Sequence, residues 1–484
     1  MTFITVANGW YLRKATVMKL FHRNKDVNMT EGNIFRLIIN FAIPLMIGNF
    51  FQLLYNTVDA WVLGNYVSGD AFGAVNSLGS VINTVICIFQ GMSVGASAVI
   101  SQYFGASDEK KVASSVHTAV IMTFVLGIIS TVVGVFMTEE LLGIMRTPTD
   151  MLDDATLYLK IYFAGIMGLM FYNMFSSILR AVGDSTSPFV ALAISSIINI
   201  VLDLYFVREL EMGVDGVAIA TIIAQFFSAI YLGVILVKAK GSYRLVFKKV
   251  EYSWNMLWTI VRIGLPSAIQ LGITSFSNIF VQSYINVLGE SVVSGWGSYS
   301  KIDQFMLLPI QSVSLASTTF VGQNIGAGKT DRAKKGILAS IVMTCAIVLV
   351  LLVPIMLFAE PITMIFNKET DIVKYGSYLL RLVSPFYVFI CVNNVIAGAL
   401  RGAGNTKAPT IILLFSFVLF RQSYLAFVTF LGYGQNLTWV ALAYPFGWIV
   451  ATVILTVYYK FAKWDNASVT KKHTHHMQAK SAHS

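Results

Sequence analysis

Apolar residues in this chain run on for twenty or more positions at a time, then break at short clusters of charge, glycine or proline. A run of that length suits an α-helix crossing a hydrocarbon core of about 30 Å at 1.5 Å per residue. Twelve such helices are predicted, over residues 34–63, 70–101, 114–137, 156–180, 188–207 and 214–237, then 256–288, 291–321, 335–358, 376–400, 409–432 and 438–461. Between and around them lie an N-terminal segment 1–33, a linker 238–255 and a polar tail 462–484. The pattern predicts an all-α integral membrane protein with an N-lobe over 34–237 and a C-lobe over 256–461.

Composition and charge sharpen this picture. Of 484 residues, 56% are hydrophobic and 12% charged, against about 25% charged in a soluble domain, so a water-soluble globule is excluded. Most of the 34 Lys and Arg fall on alternate loops, including Lys110, Lys111, Lys238, Lys240, Lys329, Lys334 and Lys335. Arg146, Lys160, Arg208, Lys368, Lys374 and Arg381 fall on the other side, and Lys301 and Arg421 within spans. Positive residues stay on the cytoplasmic side, so both termini are expected there. The net charge of +10 therefore reflects topology, and its scatter over short loops argues against nucleic-acid binding. Cys87, Cys345 and Cys391 sit in apolar segments without metal-ligand spacing, and the tail holds His473, His475, His476 and His483. No catalytic or cofactor motif occurs, so an enzyme, a metal centre beyond a coupling ion, and a cofactor are not expected. The N-terminus lacks the pattern of a cleaved signal peptide.

The two halves repeat. A shift of about 221 residues lays Leu179, Arg180, Gly183 and Pro188 on Leu400, Arg401, Gly404 and Pro409. It also pairs Gln90 with Gln311, Gln102 with Gln323, Gly105-Ala106 with Gly326-Ala327, Thr149-Asp150 with Thr370-Asp371, and Asn173 with Asn394. Six spans per half is an even number, so the repeats are parallel, a plan in which transporters bind substrate between halves that rock about it.

These residues resemble the multidrug and toxic compound extrusion (MATE) family, over about residues 31 to 461. The resemblance is carried by Phe320-Val321-Gly322-Gln323-Asn324-Ile325-Gly326-Ala327-Gly328, by Leu400-Arg401-Gly402-Ala403-Gly404-Asn405-Thr406, and by its match at Leu179 to Thr186. Read as local structure, these are Gly-rich turns whose arginines are available to anionic headgroups or helix C-termini. The resemblance implies two six-helix lobes in a V-shaped arrangement of the MATE/MOP type, and a bacterial plasma-membrane transporter.

A carboxylate in hydrocarbon costs about 2.5 to 3.5 kcal/mol on insertion scales, so each must be paired, protonated or turned to a cavity. In the N-lobe, Asp59 and Asp203 are such residues, with Asn199 one turn before Asp203 and Thr221 at a similar depth on the sixth helix. Two carboxylates, an amide and a hydroxyl suit either a shared proton or a Na+ held by hard oxygens, and the sequence leaves both open. Helix-end residues bonded near the headgroups are the structural alternative. Asp59, the Asn199/Asp203 pair and Thr221 match the N-lobe cation site of MATE transporters, including the DinF-like branch, and Pro44 matches the proline that bends their first helix. The acidic residues that NorM-like members carry on the seventh and tenth helices are missing between Ser267 and Asn286 and between Phe386 and Asn394. The C-lobe instead offers Lys301, Asp303 and Arg421, with Asp303 expected to pair with Arg421 across helices, either as a neutralised structural network or as a substrate gate.

Weaker candidates for a substrate cavity are Gln270, Met174, Tyr172 and Met306, through stacking, cation-π and thioether contacts with a flat cation. The expected activity is secondary export of organic, cationic drugs or toxic metabolites by a monomer coupled to H+ or Na+. A flippase for lipid or lipid-linked oligosaccharide is the alternative, and it calls for a basic cluster in the central cavity.

Overall fold

The computed structural model describes residues 27–67, 69–145, 147–246 and 251–470. It contains no strand among them. Twelve helices are long and apolar enough to span a membrane: α1 (Ile34–Val67), α2 (Gly69–Gly105), α3 (Glu109–Phe136), α4 (Thr149–Ala181), α5 (Thr186–Glu209), α6 (Val214–Lys238), α7 (Trp254–Asn286), α8 (Glu290–Gly326), α9 (Thr330–Leu357), α10 (Thr370–Gly402), α11 (Lys407–Phe430) and α12 (Leu437–Phe461). Several start earlier than their apolar runs. α3 begins at Glu109 because Asp108 caps it, accepting from the Lys111 N–H at 3.2 Å. α4 and α10 likewise begin at Thr149 and Thr370, each with an acidic residue in the first turn, where the helix dipole favours negative charge. The polar turns project beyond the hydrocarbon without ending the helix.

Faces turned to lipid stay apolar. On α3, Phe124, Ile128, Ile129, Val132 and Phe136 are exposed, and on α9 so are Leu349, Val350 and Val353. Helices α1–α6 form one lobe, with α4 packed against α2, α3 and α6 and with α5 between α1 and α6. Helices α7–α12 form the other, with α8 packed against α9 and α10 and with α12 behind α10. At one end lie the turns that carry most of the described basic loop residues, including Lys110, Lys111, Lys238, Lys329, Lys334 and Lys335; this end is the basic face.

The lobes meet along α2 and α7, and α8 also touches α1 and α2. Small residues allow the main seam. A Cβ on Gly91 would lie 2.2 Å from the Ala268 nitrogen, and one on Gly95 would lie 2.5 Å from the Gly264 nitrogen. Four-residue spacing of small side chains on both helices brings backbone onto backbone, which is how helices associate where lipid removes the hydrophobic drive. At the basic face the contact tightens: a Cβ on Gly105 would fall 2.0 Å from the Gln323 carbonyl, and one on Gly326 would fall 1.9 Å from that of Gln102.

Helix α1 belongs to both lobes. Ile38, Phe41, Ala42 and Leu45, around Pro44, pack into a C-lobe cluster with Val313, Phe320 and Val395, whereas Val62 and Leu63 join the N-lobe core. Pro44 lies inside α1 and lacks the N–H that would bond one turn back, so the helix is weakest where it changes lobes.

Candidate cation site and the C-lobe aromatic cluster

Each N-lobe candidate is placed by a different helix. Asp59 lies on α1, Asn199 and Asp203 on α5, and Thr221 on α6. Asp203 and Asn199 are buried, at 0% and 1% exposure, so neighbouring helices form their surroundings. The carboxyl groups of Asp59 and Asp203 are close enough to interact with each other, and Tyr158 on α4 faces both. Asn199 donates from Nδ2 to Thr221 Oγ1 at 3.5 Å. The structure thus joins Asp59 to Asp203 and Asn199 to Thr221, with Asn199 and Asp203 one turn apart.

No donor among the described residues satisfies several of these oxygens. Oδ1 of Asp59, both carboxyl oxygens of Asp203 and Oδ1 of Asn199 are buried without a hydrogen-bond partner. Buried polar atoms are almost always paired, because stranding one costs about 1–3 kcal/mol and more for a charge. A cluster of oxygens with no donors is therefore chemically incomplete, and either a proton shared between the carboxylates or a small hard cation completes it. Nearby π-helical segments at Leu63–Val67 and Tyr205–Glu209 end α1 and α5 just beyond the two aspartates. Such segments recur at functional sites, where they re-aim the adjoining turn.

Sequence reasoning missed the phenols around this site. Tyr55, Tyr158 and Tyr162 line it; Tyr158 and Tyr162 stack at 6.3 Å, and Tyr162 interacts with Gln225. Tyr55 was legible in principle, since it lies one turn before Asp59 on α1 and so shares its face.

The C-lobe differs from the expected network. No ion pair joins Asp303 to Arg421 among the described residues. Asp303 accepts from the Tyr387 hydroxyl and from that of Tyr299 at 3.5 Å. Arg421 is 4% exposed and donates from Nη2 to Asn278 Oδ1 at 2.8 Å and to Ser277 Oγ at 3.0 Å, with its guanidinium 4.8 Å from the Tyr444 ring. Neutral oxygens and a π face replace the carboxylate because α7 and α12, not α8, present the groups within its reach. Lys301 stands outside the network: it is exposed, with its ammonium 5.7 Å from the Phe366 ring. Tyr444 also packs beside Trp296 and Trp448, and Tyr387 beside Trp448, so Asp303 and Arg421 lie at two edges of one aromatic cluster.

The weaker cavity candidates also move. Met174 and Met306, each 2% exposed, are packed inside the N-lobe and C-lobe cores, and Tyr172 lies half-buried against the N-lobe core. Gln270, on α7, is buried and accepts from Arg401 Nη1 at 3.3 Å. Arg401 is therefore half-buried and bonded within the protein, not open to headgroups, as is its repeat mate Arg180, which donates to Ser177 Oγ at 2.8 Å. Cys345 and Cys391 are free thiols that meet in the C-lobe core from α9 and α10, a proximity their separation in sequence conceals. The tail histidines lie outside the described residues.

Twelve spans among the described residues, in two lobes with a polar cluster buried in each, define a membrane transporter of the two-repeat type. The MatE family model matches the chain twice, over residues 44–205 and 266–423, once in each lobe. The chain belongs to the MatE family and is a multi-pass transporter, not an enzyme. It is 30% identical over 447 residues to the "Probable multidrug resistance protein YpnP" of Bacillus subtilis, covering 91% of this chain and 98% of that one. It is 27% identical to the "Probable multidrug resistance protein NorM" of Thermotoga maritima, over 78% of this chain and 82% of the other. Among solved structures, it superposes on an outward-facing multidrug resistance MATE family transporter of the MOP superfamily with a TM-score of 0.85, at 25% identity, covering 93% of this chain and 99% of that one.

Proposed function

We propose that this protein exports organic cations, drugs or toxic metabolites, across a bacterial plasma membrane in exchange for H+ or Na+, with the basic face toward the cytoplasm. The observation that carries this reading is the unsatisfied oxygen cluster of Asp59, Asn199 and Asp203, beside Thr221. Names of relatives as multidrug resistance proteins support the substrate class. A cation bound there neutralises the carboxylates and favours one packing of α1 against α5, and Pro44 lets the upper part of α1 follow without dragging the part seated on the C-lobe. Coupling then requires only that the cation prefer one lobe shape and the substrate the other. The cation needs no cofactor, and one chain contains both halves of the pathway.

The flippase reading is less well supported. It needs a basic cluster in the central cavity, whereas Arg421 is held by Ser277, Asn278 and Tyr444 and Lys301 lies apart on the surface. Purified protein in liposomes is expected to move a fluorescent organic cation against its own gradient when an H+ or Na+ gradient is imposed. Failure under both gradients, with lipid scrambling in the same vesicles, would replace this reading with the flippase one.

A further inference from the structure

At the basic face, the repeat-related Gln102 and Gln323 each bond only to the opposite lobe or to its terminal segment. Gln102, on α2 of the N-lobe, donates from Nε2 to the Gly402 carbonyl at the end of α10, at 2.8 Å. Its Oε1 accepts from the Val469 N–H at 2.8 Å and the Ser468 hydroxyl at 3.2 Å, on the segment that follows α12. Gln323, on α8 of the C-lobe, donates from Nε2 to the Ala181 carbonyl at the end of α4, at 2.9 Å. Its Oε1 accepts from the Met29 N–H at 2.8 Å, on the segment that precedes α1. Both glutamines are at 0% exposure.

The terminal segments are thus exchanged between lobes. Residues 27–33 lead into the N-lobe yet dock on the C-lobe, where Asn324 Nδ2 donates to the Met29 carbonyl at 3.2 Å, Lys329 Nζ to that of Thr30 at 3.1 Å and Arg332 Nη2 to that of Gly32 at 2.8 Å. The segment after α12 leaves the C-lobe, and Val469 is buried in the N-lobe core. Each strap also passes over a repeat-related left-handed glycine. A Cβ on Gly183, at φ +94°, would lie 2.2 Å from the Val27 carbonyl, and one on Gly404, at φ +84°, would lie 3.1 Å from that of Ala467.

We propose that Gln102 and Gln323, with the straps at Met29–Gly32 and Ser468–Val469, form a two-fold latch that holds the basic face closed and sets the ratio of closed to open transporter. This rests on the alternating-access reading and adds to it the residues that set the resting state. The latch suits a switch because its bonds are polar: when the lobes part, water replaces each partner, so the net cost per bond is modest. An apolar seal of equal extent would hold more firmly and would not reopen as readily. The bonds from Gln102 to Gly402 and from Gln323 to Ala181 join the lobes directly and must break for the basic face to open, while each strap ties the lobe it docks on to the helix it extends.

The test is the distance across the seam, read by pulsed EPR on spin labels at Lys110→Cys and Asp331→Cys, both exposed. Cys87, Cys345 and Cys391 are replaced by Ser, and the full chain is reconstituted in sealed liposomes, across which a gradient can be imposed. Unmodified, the latch is expected to give mainly the short, closed distance. Val469→Pro removes the N–H that bonds Gln102 Oε1 and exchanges one buried apolar side chain for another; Ser468, at φ −49° and ψ 132°, already has the conformation a residue before proline adopts, and Val469 opens a helical turn. It is expected to raise the open-to-closed ratio by up to about fivefold, the yield of one modest hydrogen bond, and Gln102→Ala, which also removes the direct bond to Gly402, to raise it further. A long distance that an imposed gradient populates in the parent protein, but that neither variant enriches, would overturn the latch and leave alternating access standing. One short distance in every sample would overturn both.

Discussion

At the residue scale, the protein solves the problem of buried charge differently in its two lobes. Asp303 is satisfied by the phenols of Tyr387 and Tyr299, and Arg421 is held at Nη2 by Asn278 and Ser277 and over the Tyr444 ring. Asp59 and Asp203 have no such donors. The C-lobe carboxyl has its donors and the N-lobe carboxyls do not, although Arg421 Nε is left unpaired, and this contrast between carboxyls is the physical reason to propose coupling in the N-lobe. Tyr387→Phe strands Asp303 on one long bond, and the expected loss of thermal stability in detergent corresponds to about 1–3 kcal/mol. In double-mutant cycles, Asp303→Asn should be strongly non-additive with Tyr387→Phe and nearly additive with Arg421→Gln. Strong coupling to Arg421 instead would restore the direct ion pair that sequence spacing suggests.

At the element scale, the seam between α2 and α7 depends on the absence of side chains. Gly91, Gly95, Gly264 and Ala268 form two small-residue steps that face each other. Gly91→Val puts a branched side chain where even a Cβ meets the Ala268 backbone, so α2 and α7 must separate. Because this contact lies between lobes and not within one, the expected result is retained insertion and monodispersity with at least tenfold slower transport, a barrier change of about 1.4 kcal/mol or more. Vesicle transport assays and size-exclusion profiles on the same preparation check it. Unchanged transport would mean that the seam does not need this close approach.

At the scale of the whole molecule, most of the fold was legible in the sequence, because the bilayer imposes one rule on every span. Twelve runs, an even number per half and the shift of about 221 residues together specify two parallel six-helix lobes. The site was legible only in part. Asp59, Asn199, Asp203 and Thr221 could be found because a polar residue in an apolar helix is conspicuous, but Tyr158 and Tyr162 come from α4, and nothing in linear order brings α4 to α1 and α5. The Asp303–Arg421 pairing failed for a related reason: opposite charge says that two groups attract, not that their helices bring them within reach. Met174 and Met306 failed because an adaptable thioether serves a core as well as a cavity. Gln102 and Gln323 were visible as a repeated pair, while most of their partners, main-chain groups of Met29, Ala181, Gly402 and Val469, carry no side-chain signature.

The central claim is that Asp59 and Asp203 couple cation movement to export, and gradient-driven efflux in everted membrane vesicles tests it most directly. Asp59→Asn and Asp203→Asn remove the charge and the titration while keeping nearly the same shape, so each is expected to abolish gradient-driven efflux while the protein still inserts. Asn199→Ala and Thr221→Ala remove a neutral ligand and should do less. Asp303→Asn, which removes a carboxyl already satisfied by phenols, should retain gradient dependence even where stability falls. Efflux by Asp59→Asn at the level of the unmodified protein, or equal loss in Asp303→Asn, would contradict the account.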